Sequence, residues 1–193
     1  MTETRRRIES RQARIGIVGM GYVGLPLALL FSEERFAITG FDVDPGKVDT
    51  LNRCGSYIVR IPGSEIQAAR KNGFNATTDY RQIARMDIVI ICVPTPLTEY
   101  HEPDLSYVTR TVSSIAAHLQ EGQLIILEST TYPGTTEEVV VPLLEQGNPS
   151  ALRVARDAES SGFYVAFSPE REDPVTTRLP GATFQRSWAA AAL

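Results

Sequence analysis

Short apolar runs alternate along this chain with longer stretches in which apolar residues recur every three or four positions. An apolar run bounded by glycine or proline is typical of a strand that is buried on both faces of a parallel sheet. The longer stretches have the period of amphipathic helices. The runs predict strands at residues 15–18, 37–41, 75–77, 87–93, 123–127 and 163–167.

Helices are predicted between these strands, and turn residues mark several of their ends. One helix opens at Pro62 and closes before Gly73, which is expected at the C′ position. Asp104 is expected to cap another. Strands that alternate with helices predict an α/β fold with a doubly wound, mostly parallel sheet. The remaining predicted helices cover residues 22–34, 45–52, 105–119 and 135–144.

A glycine-rich turn with the sequence GMGYVG, at residues 19–24, joins the first predicted strand to the first predicted helix. A lone GxGxxG pattern is a weak signal, because glycines also cluster in ordinary turns. Here the pattern follows a strand, opens a helix, and is followed by Asp42 at the end of the next strand. That combination is the fingerprint of a dinucleotide-binding βαβ unit.

Each residue of the turn has an expected part in holding the dinucleotide. Gly19 makes the tight turn, Gly21 lets the backbone approach the pyrophosphate, and Gly24 lets helix and strand pack closely. Tyr22 and Val23 lie between these glycines at the helix N-terminus, which offers free N–H groups and a positive dipole to phosphates. We therefore expect all five residues to bind the cofactor.

Asp42 lies where a carboxylate can accept hydrogen bonds from the hydroxyls of the adenosine ribose. A carboxylate would repel a 2′-phosphate, and Val43 and Asp44 supply no compensating cation. The pattern therefore favours NAD over NADP. The alternative is a structural glycine turn followed by a surface aspartate.

The loops after the fourth and fifth predicted strands are expected to border the same site. In an open α/β sheet, ligands bind outside the carboxyl ends of the strands. Pro94 and Thr95 follow the fourth strand, while Thr130 and Thr131 follow the fifth. We expect Pro94, Thr95 and Thr130 to contact the cofactor. The alternative for the loop around Thr95 is an ordinary turn made rigid by proline.

Composition and charge narrow the class of function. The 193 residues carry a formal charge of −4 and have a pI near 5.3, which argues against a broad nucleic-acid-binding face. No apolar run approaches the roughly 20 residues that a membrane span needs. We expect a small-molecule partner, and neither nucleic acid nor membrane.

Cysteines and histidines are few and scattered. Cys54 and Cys92 form no Cys-x-x-Cys pair, and His101 and His118 lie apart, so no metal site is predicted. Two cysteines give no disulfide framework, which favours a reducing, cytoplasmic location. Residues 1–13 are rich in arginine and lack the apolar segment of a secretory signal, so we expect a flexible basic tail.

Five segments follow one another along the chain: GMGYVGLPLA at 19–28, CVPTPL at 92–97, PDLSY at 103–107, ESTTYPGTT at 128–136 and SPEREDP at 168–174. Together they resemble the UDP-glucose/GDP-mannose dehydrogenase family. The last two segments are most similar to the branch that acts on UDP-N-acetylglucosamine or UDP-N-acetylmannosamine. The resemblance covers residues 14–174, which are interpreted as a Rossmann-like NAD-binding domain.

The resemblance implies a four-electron oxidation that turns the C6 alcohol of a UDP-sugar into a carboxylate, for polysaccharide precursors, and uses two NAD. By motif position, Thr131 matches a threonine that helps to position the catalytic water. Glu170 matches a glutamate implicated in acid–base chemistry, and Glu170 and Arg171 are expected to contact the substrate. The family's nucleophilic cysteine lies in a later part of a longer chain, and Cys92 is interpreted as a small apolar core residue.

Three hypotheses about function remain. The first is an NAD-dependent UDP-N-acetylhexosamine 6-dehydrogenase, present here as its cofactor-binding part, with the substrate bound through a missing domain. The second is a catalytically inactive NAD-binding fragment, and the third is another β-hydroxy-acid dehydrogenase with the same N-terminal fold. Residues 175–193 depart from the family pattern and are interpreted as an aberrant or truncated tail. The resemblance also implies that full-length members are homo-oligomers.

Overall fold

The computed structural model describes residues 3–97, 99, 103–155, 157 and 160–168. The strands of this part are β1 (Arg14–Val18), β2 (Ala37–Phe41), β3 (Asn75–Thr77), β4 (Ile88–Ile91), β5 (Leu124–Leu127) and β6 (Tyr164–Phe167). The α-helices are α1 (Glu3–Glu9), α2 (Gly24–Glu33), α3 (Pro45–Asn52), α4 (Gly63–Lys71), α5 (Ser106–Ala116) and α6 (Val141–Gly147). A 3₁₀ helix spans Tyr80–Arg85, and a π-helix spans Thr136–Val140.

The strands of the described residues form one parallel sheet in the order β3-β2-β1-β4-β5-β6. Val18 of β1 pairs with Phe41 of β2 on one side and with Ile91 of β4 on the other. The chain therefore winds outward from β1 in both directions, which confirms the doubly wound sheet that the sequence predicts. Each of the five strand pairs is parallel.

Two apolar layers cover the two faces of the sheet. Ile17 of β1 packs into one layer and its neighbour Val18 packs into the other, because successive side chains of a strand point to opposite faces. On α5, the core positions recur every three or four residues, at Val108, Val112 and Ile115. Each such side chain stabilises the fold by about 1.5–3 kcal/mol when fully buried. A charge at Val112 would therefore disrupt this layer.

Residues Glu3–Glu9 form helix α1, where we expected a flexible tail over residues 1–13. Arg7 of α1 forms an ion pair with Asp87, with 2.7 Å between Nη1 and Oδ1. The Thr4 hydroxyl donates to the carbonyl oxygen of Gly122 at 2.7 Å. These partners lie 80 and 118 positions away in sequence, at the amino-terminal edge of the sheet. The prediction was wrong because the local composition carries no sign of them.

The ends of the helices lie close to the predicted positions. Gly73 follows the C-cap residue of α4 and has φ +98°, which confirms its C′ position. Asp104 is one residue away from its predicted place, since Leu105 is the N-cap residue of α5. The Asp104 carboxylate nevertheless accepts a hydrogen bond from the Ser106 N–H at 2.8 Å, and this bond lowers the pKa of Asp104.

The helix predicted at 135–144 is a π-helix that continues directly into α6. Pro142 lies near this junction and has no N–H to donate to the preceding turn. π-Helices are rare and occur mostly as single wider turns within α-helices. The helical segment therefore accommodates the proline without ending.

Residues 175–193 lie outside the described residues. Within the described ranges, no helix has the length and apolar character that crossing a bilayer requires. The same ranges contain no cluster of three or more His, Cys, Asp or Glu side chains that could hold a metal ion.

Candidate cofactor site

The glycine turn lies where the strand order of the sheet changes direction, because β1 has β2 on one side and β4 on the other. Open α/β sheets bind ligands in the crevice outside the carboxyl ends of the strands at such a point. The Gly19 N–H donates to the carbonyl oxygen of Phe41 at 2.8 Å, and the Cys92 N–H donates to that of Val18 at 2.8 Å. The turn is therefore attached to both neighbouring strands.

Gly19 and Gly24 are required by close backbone contacts. Gly19 has φ +98°, and a Cβ at this position would lie 2.6 Å from the carbonyl oxygen of Cys92. A Cβ on Gly24 would lie 1.9 Å from the carbonyl oxygen of Gly19 and 3.3 Å from the Cβ of Cys92. The absence of both side chains lets α2 begin directly against the turn and against the end of β4.

Gly21 faces open space, since no atom lies within 4 Å of the position that its Cβ would take. In the part of the chain that the structure describes, the N–H groups of Gly21, Tyr22, Val23 and Gly24 donate to no acceptor. Free N–H groups at the positive end of a helix are an arrangement that can bind an anion. The Tyr22 side chain is exposed, and the Val23 side chain packs against the core. The hydrogen-bond donors for an anion at this turn are therefore the backbone N–H groups.

Asp42 follows β2 and is buried beside the turn. Its Oδ2 accepts a hydrogen bond from the Met20 N–H at 2.9 Å, and its Oδ1 accepts one from the Asp44 N–H at 3.0 Å. A carboxylate offers about four lone-pair sites, so these two bonds leave acceptor capacity for ribose hydroxyls. The structure therefore brings Asp42 to the glycine turn, as the sequence predicts.

Lys47 is a charged neighbour that sequence reasoning missed. It lies in the first turn of α3, with its Nζ 3.6 Å from Oδ2 of Asp42 and 5.8 Å from the ring centroid of Tyr57. We considered only Val43 and Asp44 as sources of a cation. The signal was available, because a helix that begins at Pro45 carries its third residue toward the end of the preceding strand.

The loops after β4 and β5 contact each other at the carboxyl edge of the sheet. The Thr95 hydroxyl donates to the carbonyl oxygen of Thr130 at 2.7 Å, and the Ser129 hydroxyl donates to that of Val93 at 2.6 Å. Pro94 is exposed between these bonds. The structure therefore brings Pro94, Thr95 and Thr130 together on the edge that carries the glycine turn.

Thr131 is half-buried, and its Oγ1 is shielded from solvent and has no hydrogen-bond partner among the residues that the structure describes. Buried hydroxyl groups are rarely left unpaired in folded proteins. The Thr131 hydroxyl is therefore a candidate to hold a ligand group or a water at this edge.

Glu170 and Arg171 lie outside the described residues. The chain before them follows β6, and the Ser168 N–H donates to the carbonyl oxygen of Leu127 at 3.0 Å. Ser168 therefore extends the pairing of β5 and β6 at the carboxyl edge, beside the loop that carries Thr131.

Cys92 packs in the core below the glycine turn, as expected. Its Sγ lies 3.5 Å from Oε2 of Glu128, to which it donates a weak hydrogen bond. Glu128 is buried at the end of β5, where sequence reasoning gave it no separate role. The pair joins the end of β4 to the end of β5 directly below the start of α2.

Comparison with known proteins shows which family the chain is similar to. The model of the UDP-glucose/GDP-mannose dehydrogenase family, NAD binding domain, matches residues 13–179. The UDP-N-acetyl-D-glucosamine 6-dehydrogenase of Pseudomonas aeruginosa is 35% identical over 164 residues, which are 85% of this chain and 36% of the relative. The UDP-N-acetyl-D-mannosamine dehydrogenase of Escherichia coli K12 is 37% identical, over 84% of this chain and 38% of the relative.

A solved structure agrees with these sequence matches. The GDP-mannose dehydrogenase from Pseudomonas aeruginosa superposes with a TM-score of 0.75 and 31% identity, over 83% of this chain and 36% of that protein. This chain thus spans little more than a third of the relatives that it matches. The family match sets aside the hypothesis of a different β-hydroxy-acid dehydrogenase. The chain belongs to the UDP-glucose/GDP-mannose dehydrogenase family and carries its NAD-binding domain.

Proposed function

We propose that this chain is the NAD-binding part of a UDP-N-acetylhexosamine 6-dehydrogenase, an enzyme that oxidises the C6 alcohol of the sugar to a carboxylate. The observation that carries the proposal is the row of unbonded N–H groups at the glycine turn, beside the buried carboxylate of Asp42. The names of the two relatives specify UDP-N-acetyl-D-glucosamine and UDP-N-acetyl-D-mannosamine, which supports this class of sugar.

The described residues fit NAD. The open space at Gly21 can receive a pyrophosphate, whose oxygens would accept hydrogen bonds from the N–H groups that begin α2. Asp42 can accept hydrogen bonds from the ribose hydroxyls while it holds the Met20 and Asp44 N–H groups. The bound NAD supplies the hydride acceptor for the oxidation. The chain's own residues bind and orient it.

Thr131 is proposed to hold the water that completes the oxidation. Support comes from its buried hydroxyl, which has no partner among the described residues, and from its place after β5, on the edge that carries the glycine turn. A hydroxyl can donate one hydrogen bond and accept two, so it can fix the orientation of a water. Glu170, as an acid–base group, and Arg171, as a substrate contact, remain predictions from their motif.

Oxidation to the carboxylate needs a thiolate or a similar nucleophile to trap the aldehyde. Cys92 is buried and donates to Glu128, and Cys54 lies in the connection after α3. Neither cysteine therefore presents a reactive thiol at the carboxyl edge. We propose that the chain by itself binds NAD without completing the reaction. Its span of about a third of its relatives favours this second candidate function.

The proposal extends to location and partners. The two cysteines of these 193 residues form no disulfide framework, and the use of NAD and a UDP-sugar fits the reducing cytoplasm. The partner is a small molecule, the UDP-sugar, and neither nucleic acid nor membrane. Full-length relatives are proposed to act as homo-oligomers.

The test is a calorimetric titration of the purified chain with NAD and with NADP, followed by an assay with UDP-N-acetylglucosamine and UDP-N-acetylmannosamine. We expect NAD to bind more tightly than NADP, and no NADH to form from either sugar. Failure to bind NAD, or tighter binding of NADP, would overturn the cofactor role. Formation of NADH would overturn the proposal that the chain alone is inactive.

A further inference from the structure

The Met20 residue of the glycine turn is held at both of its backbone groups. Its N–H donates to Asp42, and its carbonyl oxygen accepts a hydrogen bond from the hydroxyl of Tyr57. Tyr57 lies 37 positions further along the chain, in the connection between α3 and α4. The turn is therefore clamped by side chains from two different elements.

The hydrogen bond from Tyr57 also fixes the neighbouring peptide group. The Met20 carbonyl and the Gly21 N–H belong to the same peptide, which is planar and trans. In such a group the N–H points away from the C=O. Once Tyr57 holds the carbonyl, the Gly21 N–H must point away from the Tyr57 loop, and it donates to no acceptor among the described residues.

The loop that carries Tyr57 is itself anchored. Ile58 and Ile61 on either side of its exposed tip are buried in the core. The Ile58 N–H donates to the Ser56 hydroxyl oxygen at 3.1 Å, and the Lys47 ammonium lies over the Tyr57 ring. The hydroxyl of Tyr57 is therefore presented from a fixed position.

The Tyr57 hydroxyl also stays protonated. Its burial raises its pKa, and the negative charges of Asp42 and Asp44 raise it further. A protonated phenol is a hydrogen-bond donor, which the Met20 carbonyl requires. The donor is therefore present at neutral pH and up to at least the ordinary tyrosine pKa of about 10.

We propose that Tyr57 is a positioning residue for the cofactor: it holds the Met20 carbonyl so that the Gly21 N–H is oriented in advance toward the pyrophosphate. This inference rests on the proposed NAD site and assigns a role to a residue outside the glycine motif and outside Asp42. Orientation in advance of binding strengthens affinity because the ligand does not have to order the turn. Ligands that contain a pyrophosphate therefore bind more tightly because the Gly21 N–H is already oriented. Adenosine does not reach the Gly21 N–H, so its affinity does not depend on this orientation.

The experiment compares wild type, Tyr57→Phe and the matched control Tyr164→Phe, which makes the same change on β6. NAD, ADP and adenosine are titrated by calorimetry against each protein. In Tyr57→Phe we expect the Kd of NAD and of ADP to rise about fivefold, the effect of one net hydrogen bond. The Kd of adenosine is expected to stay unchanged. Tyr164→Phe should match wild type for all three ligands.

Three outcomes of the titrations would overturn the inference. The first is an NAD affinity of Tyr57→Phe equal to that of wild type, and the second is an equal loss for adenosine and ADP, since that loss would place the effect at the ribose. The third is failure of wild type to bind NAD, which removes the proposed function as well.

If Tyr57→Phe is less stable, the Gly21 amide resonance of wild type is followed by NMR as ADP is added. The inference expects that resonance to shift on binding, and an unmoved resonance would contradict it.

Discussion

The carboxylate of Asp42 accepts a hydrogen bond from the Met20 N–H at 2.9 Å, across 22 positions of sequence. Its second oxygen accepts one from the Asp44 N–H at 3.0 Å. The residue that is predicted to bind the ribose therefore also shapes the turn that is proposed to bind the phosphates. Changes at Asp42 are expected to affect both halves of the adenosine diphosphate.

Asp42→Asn keeps the size of the side chain and removes its charge. The amide retains a single acceptor oxygen, so one of the two N–H groups loses its partner. We expect the affinity for NAD to fall about tenfold, because a hydrogen bond to a charged group contributes about 1.5–3 kcal/mol. Calorimetric titration measures this, with Asp49→Asn on the exposed face of α3 as the control. An affinity equal to that of wild type would refute the role of Asp42.

Gly24→Ala tests the contact between the start of α2 and the turn. Its Cβ would lie 1.9 Å from the carbonyl oxygen of Gly19, a backbone atom that cannot move aside as a flexible side chain can. We expect the free energy of unfolding to drop by about 3 kcal/mol, as for overpacking in a core. Urea denaturation of both proteins measures the difference. Equal urea midpoints for wild type and Gly24→Ala would mean that the start of α2 does not lie against the Gly19 carbonyl.

The sheet could be predicted from sequence because its strands are short apolar runs with glycine or proline at their ends. β2 and β3, for example, have the predicted bounds of residues 37–41 and 75–77. The end residues of the helices could be predicted less accurately from sequence, because each cap depends on a single hydrogen bond. Asp104 illustrates this, since its carboxylate binds the Ser106 N–H from a position one residue before the cap.

Tyr80 gives a prediction about pH. Its ring centroid lies 5.8 Å from that of Phe41, and burial, followed by the charge of Asp42, raises its pKa to about 12. The unfolded chain has a tyrosine pKa of about 10, so on raising the pH the unfolded state loses the proton first. The contribution of Tyr80 to stability is therefore complete below about pH 10 and is lost between about pH 10 and pH 12.

Thermal melts across this pH range test the prediction for Tyr80. Wild type is expected to lose Tm more steeply than Tyr80→Phe, which has no phenol to ionise. Parallel curves for the two proteins would show that Tyr80 does not titrate differently in the two states.

Asp87 gives a prediction about the start of the chain. Its carboxylate accepts hydrogen bonds from the Arg7 guanidinium at 2.7 Å and from the Arg14 N–H at 2.8 Å. Asp87→Ala removes both bonds, and we expect a loss of about 2 kcal/mol in the free energy of unfolding. Urea denaturation at low and high salt measures this, with Asp49→Ala as the control. A stability equal to that of the control would show that α1 is not held by this contact.

The parts of the site that sequence reasoning missed depend on packing between distant segments. Tyr57 reaches Met20 across 37 positions, and Lys47 reaches Asp42 from a separate helix. No local pattern indicates the Tyr57 contact, because it exists only once the loop after α3 has docked beside the turn, whereas the start of α3 at Pro45 did indicate the place of Lys47. The glycines were predictable because a turn of this kind has a fixed spacing that does not depend on the rest of the fold.

The most direct test of the central claim, that the glycine turn binds NAD, is a titration of wild type and Gly21→Ala with NAD. No atom lies within 4 Å of the added Cβ, so the variant is expected to keep the Tm of wild type. The methyl group would occupy the space that the pyrophosphate needs, and we expect the affinity to fall at least about tenfold. Wild-type affinity for NAD in a folded Gly21→Ala variant would contradict the account.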